Sequence, residues 1–145
     1  MMAPAALVRV PIDDRLALED LTIAYAHAVD SMHDVEGICA CFTDDADYDL
    51  SGIGMPKVAG REGIGEFFTG IFAANSHHAH YLSNFAVTAF GGDTASVRTY
   101  VIGMGRGKDG SSITVHGRYY FDAVRTPAGW QFARYTMDFM IPPAG

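Results

Sequence analysis

Residues 80–140, HYLSNFAVTAFGGDTASVRTYVIGMGRGKDGSSITVHGRYYFDAVRTPAGWQFARYTMDFM, carry the strongest structural pattern in the chain. Four extended segments stand out in it: His80 to Phe90, Thr94 to Gly105, Ser112 to Arg125 and Trp130 to Met140. They are rich in β-branched and aromatic residues, and three turn signals divide them: Gly91-Gly92-Asp93, Gly107-Lys108-Asp109-Gly110 and Thr126-Pro127-Ala128-Gly129. Connections this short cannot carry a parallel crossover, so the pattern predicts an antiparallel meander.

Upstream the periodicity is helical. Asp13 or Asp14 can cap a helix running to about Ser31, with Ala17, Leu18, Leu21, Ala24, Tyr25, Ala28, Val29 and Met32 as its apolar stripe. Asp34 can cap a shorter helix carrying Val35, Ile38 and Phe42. The Thr43-Asp44-Asp45 turn then leads to a short strand near Asp47 to Leu50. A loop holding Gly52, Gly54, Pro56 and Gly60 precedes a third helix, Arg61 to about Ala74, with Ile64, Phe67, Phe68 and Ile71 at helical spacing. Helices gathered before the strands predict an α+β fold in which helices cover one face of a curved sheet. A concave sheet closed in this way makes a pocket.

The bulk properties agree with one ligand-binding domain. The 145 residues are 49% hydrophobic and 12% aromatic, enough for a single core without staples or metals. Seventeen acidic residues against ten basic give a formal charge of -7 without a basic cluster, which argues against nucleic acid or an anionic membrane as partner. A small neutral or weakly polar ligand fits better. Cys39 and Cys41, two apart, are poorly placed to bridge each other and read as reduced. Met1 to Val10 lacks a basic flank followed by an apolar run, and no stretch reaches the roughly 20 apolar residues of a membrane span. A soluble cytoplasmic protein is the expectation.

The order of elements and several local strings resemble the nuclear transport factor 2-like superfamily, in its polyketide-cyclase-like (SnoaL-like) branch. The strings are Tyr25 to Asp30 (YAHAVD), Phe42 to Tyr48 (FTDDADY), Gly60-Arg61-Glu62-Gly63-Ile64, His80 to Asn84 (HYLSN) and Gly129-Trp130, and the likeness runs from about Asp14 to Pro142. It implies a cone-shaped α+β barrel, three N-terminal helices on a mainly antiparallel sheet around a pocket. It also implies an aspartate-histidine pair like those of scytalone dehydratase and hexachlorocyclohexane dehydrochlorinase, which fall here on Asp30 and His80. Val29 stands where scytalone dehydratase has a substrate-binding tyrosine, and its second histidine falls near Met104 or Gly105. Elimination or isomerisation of a compact cyclic molecule, without a cofactor, is what the likeness implies. Association into a dimer or trimer through the convex sheet is implied too, with Val97, Tyr119 and Phe121 supplying apolar contact.

The residues themselves bear on that chemistry. Histidine starts near pKa 6.5, and a carboxylate can fix its tautomer and stabilise its charged form, so His80 would take a proton from carbon while Asp30 orients it. Asp30 in the last helical turn meets the negative end of the helix dipole, which a nearby imidazolium would offset. Asp30 also lies opposite the main apolar stripe, the position of an ordinary solvent-facing residue, although Leu16, Ile23 and Ala26 share that side. Tyr25 and Tyr48 can hydrogen-bond a substrate oxygen, or be core tyrosines. His116, alternating with Thr114, Arg118 and Tyr120, is a third candidate for substrate contact, or a packing histidine. Arg118 and Asp122 read as a surface or interface pair.

His78 and His80 would share one strand face and Asp30 could complete a metal set, but the run straddles a loop boundary and no metal is assigned. Gly103-Met104-Gly105-Arg106-Gly107 sits at a hairpin rather than between strand and helix, so it is no dinucleotide loop. Two other functions use the same fold: a non-catalytic small-molecule binding protein, and a partner subunit resembling the small subunit of ring-hydroxylating dioxygenases.

Overall fold

The computed structural model describes residues 8–143. Helix α1 (Ile12–Asp30) and the short α2 (Val35–Ala40) lead into strand β1 (Phe42–Asp49). A single 3-10 turn, Ser51–Ile53, and strand β2 (Lys57–Ala59) precede helix α3 (Gly60–Ala74). Strands β3 (Asn75–Phe90), β4 (Thr94–Gly107), β5 (Ser112–Thr126) and β6 (Gly129–Ile141) form the meander that the turn signals predict. The six strands make one curved sheet in the order β2-β1-β6-β5-β4-β3, with the three helices packed on it. Every neighbouring pair is antiparallel except β1 and β6, which run parallel, and the sheet is unclosed.

Several boundaries differ from the sequence expectation for identifiable reasons. Pro11, not Asp13 or Asp14, occupies the N-cap of α1, and no side chain caps that end. The two aspartates lie in the first turn, where the helix dipole favours negative charge. Asp14 accepts hydrogen bonds from the Arg125 guanidinium (3.0 Å) and the Trp130 indole (3.3 Å), and the guanidinium holds its carboxyl below the usual range. Asp34 caps α2 as expected, accepting from the Gly37 amide at 2.9 Å. Thr43-Asp44-Asp45 is not a turn: β1 begins at Phe42, and its pairing with β6 shifts register between Phe42 and Asp47. The presumed loop before α3 contains β2, whose three residues pair with Asp47 to Asp49.

The core lies between the helices and the concave face of the sheet. Tyr25 of α1, Phe42 and Tyr48 of β1, Phe121 of β5 and Phe132 and Tyr135 of β6 interlock there, with Phe121 and Phe132 stacked at 3.9 Å. Burying a side chain of this size contributes about 1.5–3 kcal/mol. Val97, Tyr119 and Phe121, expected on the outer face, are buried in this core, with exposures of 1, 6 and 1%. Period-two alternation separates a strand into two sets without saying which set meets the helices. On the outer face Arg118 pairs with Asp138 at 3.2 Å rather than with Asp122, which accepts from Ser96 Oγ.

Arg61 ties α3 to β1 by donating to the Phe42 carbonyl and, at 2.6 Å, to Asp44. Farther along, Asn84 takes a left-handed φ of 56° where β3 slips register between Ser83 and Ala86, an irregularity of the kind that bends a strand. No helix among the described residues is long and apolar enough to cross a membrane. The reading of Met1 to Val10 falls largely outside the described residues.

Candidate active site

β3 is a terminal strand, so its free edge must find hydrogen-bond partners away from the sheet. The last residue of α1 supplies one. Asp30 accepts from the His80 backbone amide through one oxygen (2.9 Å) and contacts His80 Nδ1 through the other (2.5 Å). Both carboxylate oxygens thus hold one residue, fixing the imidazole against the end of the helix. A carboxylate accepts, so Nδ1 carries the hydrogen and Nε2 of the neutral ring is left as the lone-pair nitrogen. The two side chains are 28% and 16% exposed. The last turn of α1 is buried on more than its main stripe, with Ala26, Ala28 and Val29 all inside, which brings Asp30 under β3.

His80 lines a cavity of about 230 Å³ between the helices and the sheet. Helices contribute Tyr25, Val29, Phe67, Phe68 and Ile71 to its wall, and strands contribute Tyr48, Val101, Val115, Tyr119, Tyr135 and Met137 among others. Among the described residues no lysine or arginine lines it. An engineered apolar cavity of about 150 Å³ holds benzene, so this one has room for a compact ring compound.

Tyr25 and Tyr48 meet in this wall with their hydroxyl oxygens 2.5 Å apart, and both are almost fully buried. The Tyr48 ring stacks on Tyr135, with centroids 4.1 Å apart and planes 7° from parallel. Burial pushes the phenols of Tyr25, Tyr48, Tyr119 and Tyr135 upward, away from ionisation. For Tyr119 the Tyr48 phenol and the Asp30 carboxylate add to that shift. All four therefore stay neutral hydroxyls, and within the Tyr25–Tyr48 pair one donates to the other while the second keeps its hydrogen to offer a developing oxyanion.

Asp30, His80, Tyr25 and Tyr48, four of the five residues singled out from sequence, come together here. His116 does not. It pairs across strands with Ile102, whereas its neighbour Val115 lines the cavity and pairs with Gly103, so alternation puts His116 on the opposite face. The metal alternative loses its carboxylate: both Asp30 oxygens are turned to His80. Among the described residues, no three His, Cys, Asp or Glu side chains gather in a metal-holding set.

Sequence reasoning missed Tyr119, Tyr135, His78 as a wall residue, and the glycines opposite the histidines. Gly103 is the cross-strand partner of His80, and Gly105 that of His78. A Cβ on Gly103 would lie 3.2 Å from His80 Cδ2 and 3.3 Å from Nε2. In the string that evokes a nucleotide loop, Gly103 is in fact space for the His80 imidazole, whereas a Cβ on Gly105 would only touch His78 at 3.5 Å. A signal was present, since two glycines at period two within a strand mark close approach by something else.

Comparison with known proteins agrees with this architecture. A structure from Novosphingobium aromaticivorans, provisionally named an aromatic ring hydroxylase, is 60% identical, with 94% of this chain and 96% of that one covered and a TM-score of 0.92. A second structure from the same organism, provisionally named a scytalone dehydratase, is 21% identical over 93% and 96% of the two chains, TM-score 0.77. Hexachlorocyclohexane dehydrochlorinase LinA-type3 from Novosphingobium barchaimii is 20% identical over 92% of each chain, TM-score 0.78. These last two likenesses are of fold. No curated protein matches the chain. The model of the SnoaL-like domain matches residues 10–136, and the chain belongs to that family, within the nuclear transport factor 2-like superfamily.

Proposed function

We infer that this chain is a cofactor-free lyase or isomerase acting on a small cyclic organic molecule, with His80 as the base and Asp30 as the group that orients it. The observation that carries the reading is the 2.5 Å contact between Asp30 Oδ1 and His80 Nδ1, made at the wall of an otherwise largely apolar cavity. With Nδ1–H committed to the carboxylate, Nε2 takes a proton from a substrate carbon, and Asp30 stabilises the imidazolium that forms. In an elimination, the C–H electron pair becomes the new double bond while the group on the adjacent carbon leaves with its own pair. If that group is hydroxide, the imidazolium proton goes to it and water departs. If it is halide, the proton passes to solvent. In an isomerisation the same proton returns to another carbon. The Tyr25–Tyr48 hydroxyl pair lies at the same wall, suited to donate to an enolate oxygen.

The test is proton exchange in deuterium oxide, followed by NMR on a panel of cyclic ketones and β-hydroxy or β-halo ring compounds. A substrate should exchange or eliminate with the native chain, and His80→Gln should lower the rate by about 10² to 10⁴. Full turnover by His80→Gln contradicts the reading.

The name carried by the 60% identical structure favours a second reading, a small partner subunit of a ring-hydroxylating oxygenase that docks through the outer sheet face. Co-purification with a larger iron-containing chain supports it. A stable homo-oligomer that performs the exchange alone counts against it.

A further inference from the structure

Two imidazoles, not one, stand in the cavity wall. His78 lies two residues before His80 on β3 and so on the same face, and the rings approach edge to face with centroids 5.8 Å apart. Its cross-strand partner Gly105 offers no side chain to cover it. His78 Nδ1 lies 3.1 Å from the Val29 carbonyl oxygen, which can only accept, so Nδ1 carries the hydrogen and the neutral ring presents a lone pair at Nε2. Among the described residues no protein group donates to that Nε2, and it is not one of the polar atoms shut away without a partner. His80 is held in the same tautomer by Asp30.

Among the described residues no hydrogen bond joins the wall hydroxyls of Tyr25, Tyr48, Tyr119 and Tyr135 to either Nε2, and Asn75 Nδ2 donates to the Ile71 carbonyl at 2.8 Å. The β3 side of the cavity therefore presents two adjacent acceptors. A complementary ligand brings a donor to one of them while its acidic C–H faces the other.

We propose that His78 is a specificity-determining residue whose Nε2 accepts a hydrogen bond from a hydroxyl of the ligand, so that the cavity selects neutral hydroxylated rings (phenols, enols or cyclic alcohols) over halogenated or plain hydrocarbon rings of the same size. The inference rests on the reading of this cavity as the reaction site and narrows its substrate class. A carbon-bound halogen has no hydrogen to offer His78 Nε2, and binding it would leave that acceptor unpaired in an apolar wall.

Phenol and fluorobenzene, nearly equal in shape, serve as probes in NMR titrations near pH 7.5, where phenol is neutral. The native chain should bind phenol about tenfold more tightly. His78→Leu should erase or reverse that preference while still binding fluorobenzene. His78→Gln, whose amide can donate to Val29 and accept from the ligand, should recover part of it. His80→Gln should keep the preference, which separates this inference from the assignment of the base: turnover can fail in that variant while selection persists. Equal binding of the two probes, no saturable binding of phenol, or a preference that survives His78→Leu would overturn the proposal.

Discussion

His80 and Gly103 face each other across β3 and β4, and the imidazole occupies the space that a side chain on Gly103 would claim. A Cβ there would stand 3.2 to 3.3 Å from the ring, tight enough to displace it but not to break the strand pair. Gly103→Ala should therefore uncouple the site from the fold. The expected result is an altered His80 ring resonance and at least tenfold weaker turnover or ligand binding, with thermal stability changed by no more than about 1–3 kcal/mol. An unchanged His80 environment would show that the ring does not sit against β4.

The Tyr25–Tyr48 contact makes an energetic prediction. Removing one hydroxyl takes away the bond between them but leaves the Tyr135 hydroxyl beside the partner, so Tyr25→Phe or Tyr48→Phe should each cost about 0.5–1.5 kcal/mol in urea unfolding. Each single variant removes the same shared bond, so the double variant should cost less than the sum of the two. Strict additivity in that cycle would mean the hydroxyls do not interact.

Alkaline stability follows from the raised ionisations. Burial lifts the phenols of Tyr25 and Tyr135 well above 10, and it lifts the Cys41 thiol from 9.0 to about 12. The unfolded chain loses these protons first, so it binds fewer protons than the folded chain and stability falls as pH rises. The contribution is complete below about pH 9, declines from there as unfolded Cys41 ionises, and falls more steeply above about pH 10 when the unfolded tyrosines follow. Absorbance at the phenolate band should rise together with loss of structure for the buried tyrosines. Their early ionisation in a folded chain would contradict the burial.

His116 lies on the opposite face from the cavity, paired with Ile102, and His116→Ala should leave ligand affinity and turnover within about twofold of native. A loss of the size expected for His80 would place it in the site after all.

Much of this was legible in the chain because the determining signals are local. The glycine-marked turns give the meander, Asp34 gives the start of α2, and the YAHAVD and HYLSN strings give the two ends of the Asp30–His80 contact. What was not legible depends on partners far away in sequence. The parallel pairing of β1 with β6 and the three-residue β2 have no local signature. Tyr119 and Tyr135 alternate correctly on their strands, but only the position of α1 decides that their set faces inward. The same position separates the two readings of His116, which alternation places on the face away from the cavity. The role of Gly103 becomes visible only when β3 is laid beside β4 in register.

Asp30 holds His80 with hydrogen at Nδ1, which leaves Nε2 bare. The direct measurement is ¹⁵N NMR of the imidazole nitrogens at a pH where the ring is neutral, in the native chain and in Asp30→Asn. The native His80 should show a protonated Nδ1, with its proton far downfield, and an unprotonated Nε2, while Asp30→Asn should lose the downfield proton and the single tautomer. A native ring protonated at Nε2, or a pattern indifferent to Asp30→Asn, would contradict this arrangement.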